Sequence, residues 1–198
     1  MSWAPDYCTS DELLHFARVN DIDLKTEDAT EVALAITGAA RAIDLHCNRQ
    51  FGIDEEPTTR LYRSTTVSAR VRRVKVDDIM NASPVTVVTA DDAERPITFT
   101  LTPVNNLVKG KPYTMLRLPS HIPTVDFEDV KVTTTFGWLA VPEPVKLANL
   151  LQGSRFLARR EAPFGIAGSP DQGSEMRLLA RVDPDVGVSL INYVRWWA

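Results

Sequence analysis

The stretch Glu27–Asn48, EDATEVALAITGAARAIDLHCN, decides how the rest of the chain is read. Val32, Ile36, Ala39, Ile43 and Cys47 recur at steps of four, three, four and four, the spacing that lines one face of an α-helix. Glu27, Asp28 and Glu31 stand at its start, where carboxylates favour the positive end of the helix dipole. Ala33, Ala35, Ala39, Ala40 and Ala42 keep the rod slim, so that a second helix can approach closely. The spacing therefore predicts a long helix with one buried stripe.

Upstream, Thr9-Ser10-Asp11-Glu12 fits a capping box, with the Thr9 hydroxyl and the Glu12 carboxylate each serving the other's backbone N–H. The helix it opens buries Leu13, Leu14, Phe16 and Ala17 and ends at Asn20-Asp21. Downstream, the character changes at Pro57. From Thr58 to Gly137 the chain is rich in Val, Thr and Ile, with turns expected at Asp77-Asp78, Asn81-Ala82-Ser83-Pro84, Ala90-Asp91-Asp92 and Asn105-Asn106. Ile97 to Leu101 and Val130 to Phe136 alternate as half-buried strands do, and Leu61 to Arg63, Val71 to Val76, Val85 to Thr89 and Tyr113 to Leu118 add further short strands. Helix returns after Pro142, with Leu147, Leu150, Leu151, Ser154, Leu157 and Ala158 inward and Arg159-Arg160 at its end. A Gly-, Ser- and Pro-rich loop from Glu161 to Ser174 leads to a last helix capped by Asp183-Pro184, with Val186, Leu190, Tyr193 or Val194, and Trp197 in line. The expected fold class is α+β: a helical bundle of packed N- and C-terminal helices, residues 1–57 plus 138–198, carrying an inserted small antiparallel β domain at 58–137.

The chain has 198 residues, 44% hydrophobic and 24% charged, enough for a packed core and incompatible with wholesale disorder. No apolar run approaches the roughly 18 residues of a membrane span, and Met1-Ser2-Trp3-Ala4-Pro5-Asp6 lacks the basic start and apolar segment of a secretory signal. The expectation is a protein made and kept in the cytosol, with Cys8 and Cys47 as free thiols. Net charge is −4 and uneven: up to Pro57 there are four Lys/Arg against twelve Asp/Glu, from Thr58 to Gly137 eleven against eight, and from Trp138 onward seven against six. A chain that grips nucleic acid usually carries a basic face, whereas the most biased segment here is acidic.

The sequence offers little chemistry. Of the three histidines, His15, His46 and His121, the first two lie on expected helices without a second His or acid at metal spacing, and neither the P-loop nor the dinucleotide-binding glycine spacing occurs among the nine glycines. The pairs Asp77-Asp78 and Asp91-Asp92 are the residue type a glycosidase uses, but nothing in the sequence selects one of them. No enzyme activity, cofactor or metal is expected. One basic stripe, Arg70, Arg72, Arg73 and Lys75, reads either as contact with phosphates or an acidic partner, or as an edge strand guarded by charge. On a strand it would place charge on both faces unless a bulge intervenes. The terminal Tyr193, Arg195, Trp196 and Trp197 either fold onto the core or anchor a partner, since Trp, Tyr and Arg are favoured anchor residues.

Glu31-Val32-Ala33-Leu34-Ala35-Ile36 running to Ala39-Ala40-Arg41-Ala42-Ile43-Asp44, then Cys47-Asn48-Arg49-Gln50-Phe51, resembles the long helix with its ending A-x-R-x-I-(E/D)…C-x-R-x-F of the head–tail connector (adaptor) proteins of tailed bacteriophages. Thr135-Phe136-Gly137-Trp138 with Val141-Pro142-Glu143-Pro144-Val145-Lys146-Leu147-Ala148 is similar to that family's return from β structure into the next helix. Phe156 to Arg160 and Asp183-Pro184-Asp185-Val186 fit too. The resemblance implies a structural, homo-oligomeric ring, commonly twelvefold, at the virion neck beneath the portal. Its partners would be the portal protein, a head–tail stopper or tail-terminator protein and further copies of itself, with genomic DNA passing through the lumen without sequence-specific binding and no membrane involved. An acidic N-terminal segment suits such a lumen, because negative walls repel phosphates. Shorter members are mainly helical, and the stretch Thr58 to Gly137 departs from them. Two rival classes are a small virion hydrolase using the paired aspartates and a nucleic-acid-binding module using the Arg70 to Lys75 stripe.

Overall fold

A computed structural model describes residues 3–24, 28–68, 71–80, 84–119, 129–158, 166–167, 176–177 and 184–197. Glu27, Arg70, the turn at Asn81-Ala82-Ser83, His121, Arg159-Arg160, Asp183 and Ala198 lie outside them. So does the expected loop from Glu161 to Ser174, apart from Ile166–Ala167. The chain forms two compact units, one of Met1–Ala4 with Phe51–Ala140, the other of Pro5–Gln50 with Val141–Ala198.

The expected helical bundle with a small β insertion is corrected: the fold is mixed α+β, dominated by a six-stranded antiparallel sheet, with little bundle character. The strands are β1 (Thr58–Ser68), β2 (Val71–Ile79), β3 (Thr86–Thr89), β4 (Thr100–Thr102), β5 (Tyr113–Pro119) and β6 (Asp129–Thr134), in the order β3-β6-β1-β2-β5-β4. The eleven-residue β1 serves two partners: Thr58 to Arg63 pair with β6, and Ser64 to Ser68 pair with β2. This handover lets one sheet curl into a half-barrel around a single core. Period-2 alternation decides which side chains enter that core. Val74 and Val76 from β2, Leu116 and Leu118 from β5, and Val130 and Val132 from β6 are buried there with Val87, Ile97 and Phe136.

Two local expectations fail for identifiable reasons. Asp77 and Asp78 continue β2 because their carboxylates are taken by Arg60, Tyr62 and Trp138, so neither is free to close a turn. The alternating run from Ile97 to Leu101 is strand only at its end, since Ile97 donates its N–H to the Val87 carbonyl and the regular pairing with β5 begins at Thr100.

The sheet unit is closed by the segment Phe136-Gly137-Trp138. Its main chain is held on two sides: Asp54 N–H donates to the Phe136 carbonyl (2.8 Å) and Trp138 N–H to the Gly52 carbonyl (2.8 Å), while Gly137 N–H donates to the Asp78 carbonyl (2.6 Å) and the Gly137 carbonyl accepts from Met80 N–H (3.2 Å). The approach is so close that a Cβ on Gly137 would lie 2.1 Å from the Gly52 oxygen, and its φ of +124° is one that only glycine adopts freely.

In the helical unit, α1 (Ser10–Val19) begins with the capping box as read, Thr9 N–H donating to Glu12 (3.0 Å) and Glu12 N–H to the Thr9 hydroxyl (3.2 Å). The long helix α2 (Ala29–Cys47) is capped by Asp28, which accepts from Thr30 and Glu31 N–H, and stops where Asn48 turns left-handed at φ 52°. Val32, Ile36, Ala39, Ile43 and Cys47 are all buried. The next helix, α3 (Glu143–Ala158), packs on both. Gly153 sits against Leu13, and Gly38 of α2 leaves room for the Phe156 ring. A two-residue ladder joins β7 (Ile166–Ala167) to β8 (Met176–Arg177), and α4 (Pro184–Leu190) buries Val186 and Leu190. The chain then makes one 3-10 turn and leaves extended at Val194, so Trp197 does not continue the helical line.

Gly137→Ala is expected to lower the stability of the sheet unit by about 2–4 kcal/mol, through steric overlap and an unfavourable φ, read as a drop in melting temperature. Ile43→Asp would bury an unpaired carboxylate in the helical unit and cost several kcal/mol, on the order of the whole stability of a small domain. Unchanged melting of both variants would refute the packing described.

Candidate functional site

The densest polar cluster lies in the sheet unit. Arg60 on β1 has its guanidinium between two aromatic rings, Trp3 and Phe136, each 4.2 Å from the guanidinium carbon. Its nitrogens meet Asp77 at 2.6 Å and Asp54 at 2.7 Å, while the Tyr62 hydroxyl donates to Asp77 (2.8 Å) and the Thr58 hydroxyl to Asp54 (2.7 Å). Burial works against the Arg60 charge, yet the Asp77 hydrogen bond and the charges of Asp77 and Asp54 outweigh it and hold the guanidinium pKa above its usual value. Burial, with Asp77 beside it, pushes the Tyr62 phenol up as well. Next along β2, buried Asp78 accepts from the Trp138 indole N–H at 2.7 Å. Asp91 accepts from the Thr89 hydroxyl. Asp77, Asp78 and Asp91 thus each hold a partner within the fold.

The second cluster occupies the helical unit and contains the connector-like string. Arg41 donates to the Pro5 carbonyl (2.7 Å) and pairs with Asp44 at 3.1 Å, and buried Asp44 also accepts from the Tyr7 hydroxyl. Ile43 and Cys47 are buried, as is Phe51 in the sheet unit. These positions bind the chain to itself, so their pattern encodes a helix end and its N-terminal strap. Burial raises the Asp44 pKa, with Tyr7 and Arg41 opposing. Burial also pushes the Cys8 and Cys47 thiols up to about 12. His15 and His46 are exposed, and among the described residues no group of three His, Cys, Asp or Glu could hold a metal ion.

The basic stripe divides between the two sides of β2. Arg72 is half-buried, and its Nε–H donates to the Thr66 hydroxyl at 3.2 Å. Arg73 and Lys75 are exposed on the outer face of the sheet. There Arg73 lies directly opposite Arg117 of β5, a residue the sequence reading passed over. They stand 44 positions apart in sequence with no motif around Arg117, and only the strand register brings the two together.

At the C-terminus, Arg195 N–H donates to the Cys47 carbonyl (2.8 Å), and the Asn48 side chain donates to the Trp197 carbonyl (3.3 Å). Tyr193, Arg195 and Trp197 are half-buried, and between the two tethers Trp196 stands 80% exposed. Elsewhere on this unit, Pro144, Leu147 and Leu150, with Glu143, Lys146 and Ser189, line an open depression of about 540 Å³.

No family model and no curated protein matches the chain.

Two outcomes follow from the charged clusters. Arg60→Ala is expected to cost about 3 kcal/mol by stranding Asp54 and Asp77, and Arg60→Lys about half as much, because an ammonium keeps the charge but not the planar stack. Chemical denaturation measures both. For Asp44, a folded pKa above the unfolded one means the group contributes stability below about pH 3.9, which is lost as pH rises through the folded value. Acidification from pH 7 should therefore raise the melting temperature of the wild type relative to that of Asp44→Asn. An identical pH profile for the two proteins would contradict the assignment.

Proposed function

We propose that the chain is a structural head-to-tail connector subunit of a tailed phage, assembling as a ring beneath the portal at the virion neck. The observation that carries this reading is the C-terminal segment. Its backbone is pinned to the end of α2 on either side of Trp196, so a large apolar side chain is held out in water in a fixed place. An anchor ordered in advance loses little entropy on docking, and a tryptophan buried at the centre of an interface is among the strongest contributors to binding. The apolar depression around Leu147 and Leu150 offers a further contact face. Both features suit a subunit whose task is to join unlike partners, the portal above and a stopper or tail-terminator protein below.

The resemblance of the α2 ending and of the stretch from Thr135 to Ala148 to the connector family supports the same reading. The two clusters that occupy Asp44, Asp54, Asp77 and Asp78 also fit it, since these carboxylates are committed to holding the fold. In this reading the protein is made in the host cytoplasm and acts in the virion, with DNA passing through the ring.

Trp196→Ala tests the proposal. The isolated protein is expected to keep its melting temperature, with a change within about 0.5 kcal/mol, because the side chain packs on little of its own chain. Phage carrying the variant should accumulate DNA-filled heads without tails, counted by electron microscopy. Normal virions from the variant would overturn the anchoring role.

A further inference from the structure

We propose that the outer face of the sheet, centred on Arg73 and Arg117, docks the acidic helical unit of a second copy of the chain. The proposal rests on the ring reading for its biological setting, though its physical basis is independent of it.

The strand register supplies the argument. Arg117 lies opposite Arg73, Thr65 flanks Arg73 on β1, and Thr100 flanks Arg117 on β4, so one row across four strands reads Thr65, Arg73, Arg117, Thr100. Lys75 projects from the same face two residues along β2. Like charges directly opposite in an antiparallel pair oppose pairing. Elsewhere on this face the cations are matched: Arg63 meets Asp129 at 3.1 Å, and Lys131 meets Glu94 at 2.6 Å. Among the described residues, neither Arg73 nor Arg117 makes an ion pair. A repulsive pair kept between two hydroxyl-bearing neighbours is a site where an incoming carboxylate gains two guanidinium partners at once.

The surroundings fit a protein surface better than a nucleic acid. Leu61 is exposed on the same face of β1, and a shallow depression of about 230 Å³, lined by Val71, Phe99, Thr100, Arg117 and Pro119, adjoins the row. The positive charge is local: residues 51–140 carry eleven Lys/Arg and eleven Asp/Glu, and among the described residues of this face Arg63 and Lys131 are already matched by Asp129 and Glu94. The complement is on the chain itself. Residues 5–50 carry nine Asp/Glu against four Lys/Arg, and Asp11, Asp21, Asp23 and Asp28 are exposed there. A basic patch on one unit and an acidic surface on the other, in different copies, make a heterologous contact, the kind that propagates head to tail into a ring or filament.

Sedimentation velocity on the purified full chain tests this without any phage component. At about 20 mM salt the protein is expected to associate with rising concentration, and at about 500 mM salt, where surface charges are screened, to return to monomer. The double variant Arg73→Glu, Arg117→Glu should weaken association at low salt about tenfold or more, as should Asp21→Lys, Asp23→Lys. Mixing the two variants should restore a pair that neither forms alone. All four positions are exposed, and circular dichroism checks that the variants fold. The proposal is overturned if no association occurs at low salt, if it survives both reversals, or if the mixture fails to pair. It is equally overturned if Arg73 and Arg117 instead govern binding to duplex DNA. The connector reading stands or falls separately on the Trp196→Ala virions.

Discussion

The sheet unit depends on one backbone crossing. Gly137 passes so close to Gly52 that no side chain fits between them, and from that point the chain is bonded to residues 52–54 on one side and 78–80 on the other. The crossing sets where the flanking aromatic residues go. Phe136 is placed under Arg60, and Trp138 is placed against Phe51 (ring centroids 5.3 Å apart) with its indole N–H on Asp78. A wider approach would leave main-chain N–H and C=O groups unsatisfied in a dry interior, a cost of about 1–3 kcal/mol for each group. Glycine at 137 is therefore a requirement of geometry.

Around that crossing the unit uses charge to fix position. An ion pair removed from water stabilises little on balance, because desolvation offsets much of the Coulomb attraction. Arg60 has a different value. Its flat guanidinium fits between two rings while its edge reaches two carboxylates, an arrangement that selects one rotamer and one place for Trp3 and Asp54. Asp44 plays a comparable part in the helical unit, where it accepts from the Tyr7 hydroxyl and pairs with Arg41, whose guanidinium in turn donates to the Pro5 carbonyl, so that the N-terminal segment is held onto α2.

What was legible in the sequence was local. The stripe from Val32 to Cys47 and the Thr9–Glu12 box are short-range patterns, and α2 and the cap of α1 stand where those patterns place them. The pairs β3 with β6 and β2 with β5 join segments tens of residues apart, and no short window shows that six modest strands form one dominant sheet. The same blindness concealed the Arg73–Arg117 row. Asp77-Asp78 was misread because its partners Arg60, Tyr62 and Trp138 are 15 to 60 residues distant. That the adjacent Trp196 and Trp197 call for cover by the core or by a partner was readable from the sequence. Which of them faces water depends on two tethers to the end of α2 that sequence spacing does not encode.

The two cysteines of the helical unit carry a consequence of another kind. Cys8 and Cys47 are both unpaired and buried, and burial pushes their thiols up to about 12, so at neutral pH both stay protonated. A thiol reagent in solution meets almost nothing to attack until the packing of α1, α2 and α3 opens. The rate at which these sulfurs become labelled is then a stopwatch for that opening, and a native preparation handled in air keeps its thiols for as long as the helices stay closed.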